Sequence, residues 1–173
     1  MGISRIRRTV GCFVATALAC SALGALPAVA MADEGGPSIV PMHNNDCKFH
    51  FDFTFLQETA GDSIELKHNA SSTYVRLDSV NIDAAQLYVD GAVPNSTNLV
   101  NCMGGADAVV NRGLKGHFCI RNLVYERFGQ SGVANSQLTG WGMKNTGTID
   151  GVWSPDSLYN YTPLNGYCNP NIW

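Results

Sequence analysis

Charge is scarce in this 173-residue chain: Asp, Glu, Lys and Arg make up 14 % of it, and no cluster of basic residues occurs after position 8. That shortage excludes a phosphate-tracking nucleic-acid surface, which needs grouped Lys and Arg. Metal-ligand spacing is absent too, since the sequence contains no C-x-x-C pair, no Cys/His finger and no EF-hand loop. A serine-hydrolase elbow fails on one residue, because Gly129-Gln130-Ser131-Gly132 runs into Val133 where G-x-S-x-G needs glycine. Beyond residue 30 no apolar run approaches spanning length, no helical period persists, and no repeat of solenoid length is found.

What is there begins with Arg5, Arg7 and Arg8, an apolar stretch from Val10 to Leu26, and Ala28-Val29-Ala30. A basic start, a hydrophobic middle and small residues at the −3 and −1 positions form an export signal over residues 1–30, cut after Ala30 or, as an alternative, after Ala32. Cys20, preceded by Ala17-Leu18-Ala19, offers a second possibility, a lipid anchor, although Leu is missing from the usual −3 place. The expected location is therefore extracellular. Without the signal's three arginines, eight basic residues face fourteen acidic ones, a balance of about −6 that disfavours nucleic acid and anionic lipid. The remaining length, about 140 residues, suits one domain.

Two of the six cysteines, Cys12 and Cys20, lie in the signal, leaving Cys47, Cys102, Cys119 and Cys168. In an oxidising compartment they read as two structural disulfides with three possible pairings; a nested arrangement, Cys102 with Cys119 and Cys47 with Cys168, is the favoured expectation. The long closure would contribute on the order of 4 kcal/mol in the chain-entropy picture.

Residues 31–46 are rich in Gly, Pro, Asn and acidic side chains and are expected to form a flexible lead-in to a domain at 47–173. From Phe49 to Phe55 the chain alternates strictly, with four phenylalanines on one face and His50, Asp52 and Thr54 on the other, which predicts a half-buried strand. Further strands are predicted at Ser63–His68 with Ile64 and Leu66 inward, Thr73–Ile82 with a bulge near Ser79, Gln86–Asp90 ending in an Asp90-Gly91 turn, Asn98–Met103, Lys115–Arg127, Ser136–Lys144 and Thr148–Trp153. Ala106–Asn111 is ambiguous and reads as a single helical turn. The fold class is all-β: a single antiparallel sandwich, Ig-like or jelly-roll in outline and supported by disulfides, with a closed barrel as the alternative.

Lys67-x-Asn69-x-Ser71-Ser72-x-Tyr74-Val75, Asn122-x-Val124-x-Glu126, Leu138-x-Gly140 and the closing Gly151-x-Trp153-Ser154-Pro155-Asp156-Ser157 resemble a family of small secreted proteins of Gram-positive bacteria, across about residues 67–158. The resemblance implies a bacterial exported β domain and brings no catalytic residues. The four mature cysteines and the tail from Leu158 to Trp173 depart from that pattern. In composition the chain is also similar to lactococcin-type bacteriocins. Within the closing block, Trp153 is expected to plug the core while Ser154–Ser157 forms a tight turn.

Asp78, Asp83 and Glu126 are the carboxylates available for glycoside cleavage; His50 and Asp52, with His43 and Asp46 upstream, approach a metal-ligand group, and the acidic Asp78–Asp90 stretch is the calcium candidate. Solvent-face polarity explains these adequately, so no cofactor or metal and no catalytic residue is assigned. The better functional signal is the late aromatic set, Trp141, Tyr159, Tyr161, Tyr167 and Trp173, whose flat rings suit a protein surface or cell-envelope carbohydrate. The expectation is a secreted, non-enzymatic recognition or antagonistic domain, with an exported hydrolase of carbohydrate or peptide as the alternative.

Overall fold

The phenylalanine alternation becomes β1, Cys47–Phe53, in a computed structural model that describes residues 46–169. The expected export signal with Cys20, the expected lead-in up to residue 45 and Trp173 lie outside the described residues. Phe49, Phe51 and Phe53 are buried, with successive ring centroids 4.9 and 6.3 Å apart. Phe55 lies past the strand end and is 61 % exposed, so the aromatic face carries three rings rather than four.

The remaining strands are β2 (Thr59–Lys67), β3 (Thr73–Val80), β4 (Ala84–Ala92), β5 (Val100–Asn101), β6 (Ala108–Asn111), β7 (Gly116–Ile120), β8 (Ala134–Lys144), β9 (Gly147–Ser154) and β10 (Thr162–Pro163). One five-residue helix, α1 (Val124–Phe128), follows β7. Sheet A has the order β1-β9-β3-β7-β10; sheet B has β2-β8-β4-β5, with β6 also on the free edge of β4. All these pairings are antiparallel except β10 with β7. If β5 and β6 count as one broken strand and β10 as an addition, first pairs with last, second with next-to-last and third with third-from-last, and the central two, β4 and β5/β6, pair with each other in sheet B. That order is a jelly roll, which sets aside both the Ig-like order and the closed barrel.

Between the sheets, Trp153, Ile149, Val75, Leu77, Leu87, Val89 and Leu138 form one buried core with the β1 rings. Gly140 and Gly142 of β8 face Phe51 and Phe53 so closely that a Cβ would sit 2.7 and 3.1 Å from ring atoms. The rings thus use space that any larger residue would fill, and overpacking there is destabilising.

One local expectation holds and several are corrected. The bulge near Ser79 is present, as a register shift between Leu77 and Ser79. A second shift, between Gly61 and Ile64, inverts the parity of β2: Ile64 and Leu66 point outward, 37 % and 48 % exposed, and Lys67 goes inside at 0 %. Asp90-Gly91 is strand interior rather than turn, because Val124 of α1 packs where a Cβ of residue 91 would be. Ala108–Asn111 is strand, and the long strand expected to Arg127 stops at Ile120 and gives way to α1.

The nested disulfide scheme is also overturned. Cys119 is bonded to Cys168, with Cα atoms 5.9 Å apart. Cys119 shares the outward parity of its partner Tyr74, whereas Cys102 belongs to the core and cannot reach it. Cys102 is a free buried thiol whose pKa burial raises. Cys47 opposes Trp153 and faces the interior, away from Cys168; burial, then the Glu65 and other carboxylate charges, push its thiol up to about 11.

Candidate functional site

The aromatic residues singled out by sequence fall on opposite faces. Trp141 lies on the outer face of sheet B, since its strand neighbours Gly140 and Gly142 meet the interior rings. Registers define the rungs of that face: Thr59, Trp141, Gln86 and Val109 form one; Gly61, Thr139 and Tyr88 the next; Ile64, Gln137, Asp90 and Asn101 the third. Trp141 and Tyr88 are therefore diagonal neighbours on adjacent strands, a separation aromatic rings can span. Both are partly exposed, whereas Gln86 and Thr139 between them are 5 % and 8 % exposed.

Polar groups on this face are held in place. Thr139 Oγ1 donates to Asp90 Oδ2 at 2.7 Å, and Gln137 Nε2 donates to the Asp62 carbonyl at 2.5 Å. Burial, reinforced by the Asp107 and Asp90 charges, raises the Tyr88 pKa, so its phenol stays a hydrogen-bond donor. The result is a flat ring pair bordered by amides, a hydroxyl and a carboxylate. Tyr88, Gln86, Thr139 and Asp90 were missed by sequence reading; the period-two pattern of β4 and β8 contained them, but pairing the strands requires the fold.

On the outer face of sheet A the rings are used differently. Tyr161 packs on Tyr74 with centroids 4.8 Å apart and on His117 at 6.0 Å, and Tyr159 meets Tyr161 edge-on at 6.0 Å. Tyr74 and His117 share a 2.8 Å hydrogen bond. The Cys119–Cys168 bond and β10 fasten the tail here, packing it against the sandwich. Tyr167 lies under the Arg121 guanidinium at 4.3 Å. Tyr159 and Tyr167 remain 63 % and 53 % exposed.

A third assembly is buried. Lys67, at the end of β2, donates from Nζ to the Ser71 and Pro155 carbonyls at 2.6 and 2.5 Å and to Asp156 Oδ1 at 3.1 Å. Asp156 Oδ2 accepts the His68 N–H at 2.9 Å. Ser72, Thr73, Asn122 and Asn169 continue the network, with Asn169 Oδ1 accepting the Asn122 N–H at 3.1 Å and Asn122 Nδ2 donating to Thr73 Oγ1 at 3.1 Å. Residues 154–157, expected as a tight turn, are the last residue of β9 and a bend, and they are interior. The separate sequence motifs at residues 67–75, 122–126 and 151–157 converge here.

The remaining candidates take separate partners. Asp78 binds Arg76, Asp83 binds Arg112 and Asn145, and Glu126 Oε1 accepts from Asn169 Nδ2 at 3.5 Å. His50 Nδ1 meets Asp150 Oδ1 at 2.5 Å beside a shallow depression of about 380 Å³ that Lys48 and Asp78 also line. Among the described residues, no three His, Cys, Asp or Glu side chains gather to hold a metal ion, and no helix is long and apolar enough to cross a membrane. Residues 37–157 match the family model described as protein of unknown function (DUF2712). The chain belongs to this family. No curated protein and no solved structure matches it. The family match spans all three converging motifs but ends before Tyr159, Tyr161 and the Cys168 fastening.

Proposed function

We propose that the protein is a non-enzymatic recognition domain that binds cell-envelope carbohydrate on the outer face of sheet B. The observation that carries this reading is the diagonal Trp141–Tyr88 pair, partly exposed on the outer sheet face and set among Gln86, Gln137, Thr139 and Asp90. A sugar ring has one apolar face and an equatorial belt of hydroxyls. Flat aromatic rings supply area to the first at small entropic cost, and amide and carboxylate groups answer the second. Strands rather than loops present these groups, so little ordering is needed on binding.

The basic and apolar start of the chain supports export, and the Gly151–Ser157 block supports a Gram-positive source. An antagonistic, bacteriocin-like role is the same face directed at a competitor's envelope. The fold alone selects none of this, because jelly rolls host many functions.

A co-sedimentation assay with insoluble cell-wall glycan tests the reading. Wild type and Tyr159→Ala should pellet with the glycan and Trp141→Ala should stay in solution. Equal pelleting of Trp141→Ala and wild type refutes the assignment of the face.

A further inference from the structure

Lys67 and Asp156 stand 89 residues apart in sequence, yet their side chains meet in a site where they are 0 % and 2 % exposed. Withdrawing an ammonium and a carboxylate from water is costly, and moving one proton between them discharges both. Burial pulls the Lys67 pKa down, which favours that transfer, while the Asp156 and Glu126 charges oppose it. The products of the transfer, a neutral amine and a carboxylic acid, are the two reactants of an amide.

The surroundings fit the condensation. The Ser71 and Pro155 carbonyls hold Nζ against the Asp156 carboxyl group, a pre-arranged geometry that replaces a bimolecular encounter. The His68 N–H points at Oδ2, the oxygen on which negative charge develops when Cγ is attacked. Glu126, exposed at its outer side, joins the same network through Asn169 Nδ2 at 3.5 Å, and its charge acts on Lys67.

We propose that Lys67 and Asp156 become joined by an intramolecular amide, with Glu126 as the proton relay. After the Lys67 ammonium passes one proton to Oδ1, the Nζ lone pair attacks Cγ and the C=O electron pair moves onto Oδ2. Glu126 takes the second proton from Nζ and returns it to the Oδ1 hydroxyl, which leaves as water while the carbonyl re-forms on Oδ2. The single N–H left on Nζ donates to one of the two carbonyls that held the ammonium. No oxidant or cofactor is required. The bond would tie the end of β2 to the turn after β9 and, unlike Cys119–Cys168, would withstand reduction.

Mass spectrometry of the full chain, purified and reduced, tests this directly against the mass calculated for its sequenced N-terminus. Wild type should weigh one water less than calculated, and proteolysis should release a branched peptide linking Lys67 to Asp156. Lys67→Arg should weigh its full calculated mass, and Glu126→Gln should give mainly linear peptides. A wild-type chain of full mass, or a water loss mapped to other residues, overturns the proposal, and this holds even if a variant does not fold. Cross-linking of Glu126→Gln at the wild-type level overturns the relay.

Discussion

The outer face of sheet A carries twice as many stacked or paired rings as that of sheet B, four against two, and the two faces use them in opposite ways. On sheet A, Tyr74, Tyr161, Tyr159 and His117 are packed on one another, and the tail that brings two of them is fastened by Cys119–Cys168. On sheet B, Trp141 and Tyr88 stand beside short polar side chains, and no described element crosses them. The difference teaches that ring count is a poor guide to recognition. A ring already stacked within the protein has less area to offer a ligand than one flanked by amides and hydroxyls.

This contrast can be broken in order of expected effect. Cys168→Ser frees the tail from sheet A and should cost about 2–4 kcal/mol of stability, read from the urea midpoint, with glycan binding unchanged. Asn169→Ala strips partners from Ser72 and Asn122 in the buried network and should cost about 1–3 kcal/mol in the same assay, again without touching the sheet B face. Trp141→Ala should do the reverse: affinity for a soluble cell-wall oligosaccharide, measured by calorimetry, falls by about 2 kcal/mol, roughly thirty-fold, while the urea midpoint moves little. Tyr159→Ala removes an exposed ring and should change stability by no more than about 0.5 kcal/mol and affinity not measurably.

The smallest effect concerns pH. Hydrogen bonding to Asp150 raises the His50 pKa above its ordinary 6.5. The raised folded-state value means that the pair's contribution is complete below about pH 6.5 and fades as pH rises through the folded pKa. Because His50 and Asp150 are 58 % and 42 % exposed, the slope is shallow. Urea midpoints across this range should show it in wild type and lose it in Asp150→Asn.

How much of this was legible in the residues depends on where polarity sits. The β1 phenylalanines and the Ser79 bulge were readable because alternation maps directly onto a pleated strand. Ile64 and Leu66 were misassigned because the bulge after Gly61 shifts every later residue of β2 to the other face, and nothing apolar marks that shift. The Lys67–Asp156–Asn122–Asn169 centre was hidden for a different reason. Lys, Asp, Asn and Ser are ordinarily surface and turn residues, and these become interior only through partners 47 to 97 residues away. The disulfide pairing was likewise inaccessible, because strand parity turns Cys119 outward toward the tail and keeps Cys102 in the core.

For the recognition face, Trp141 was found by its type and its partners were not, since Tyr88, Gln86 and Asp90 become its neighbours only through the β4–β8 register. The indole N–H resonances report on this most directly during titration with a soluble cell-wall oligosaccharide. The Trp141 signal should shift progressively, together with the backbone amides of Tyr88 and Thr139, while that of the fully buried Trp153 stays fixed. Shifts confined to Tyr159, Tyr161 and His117, with Trp141 unmoved, would contradict the account.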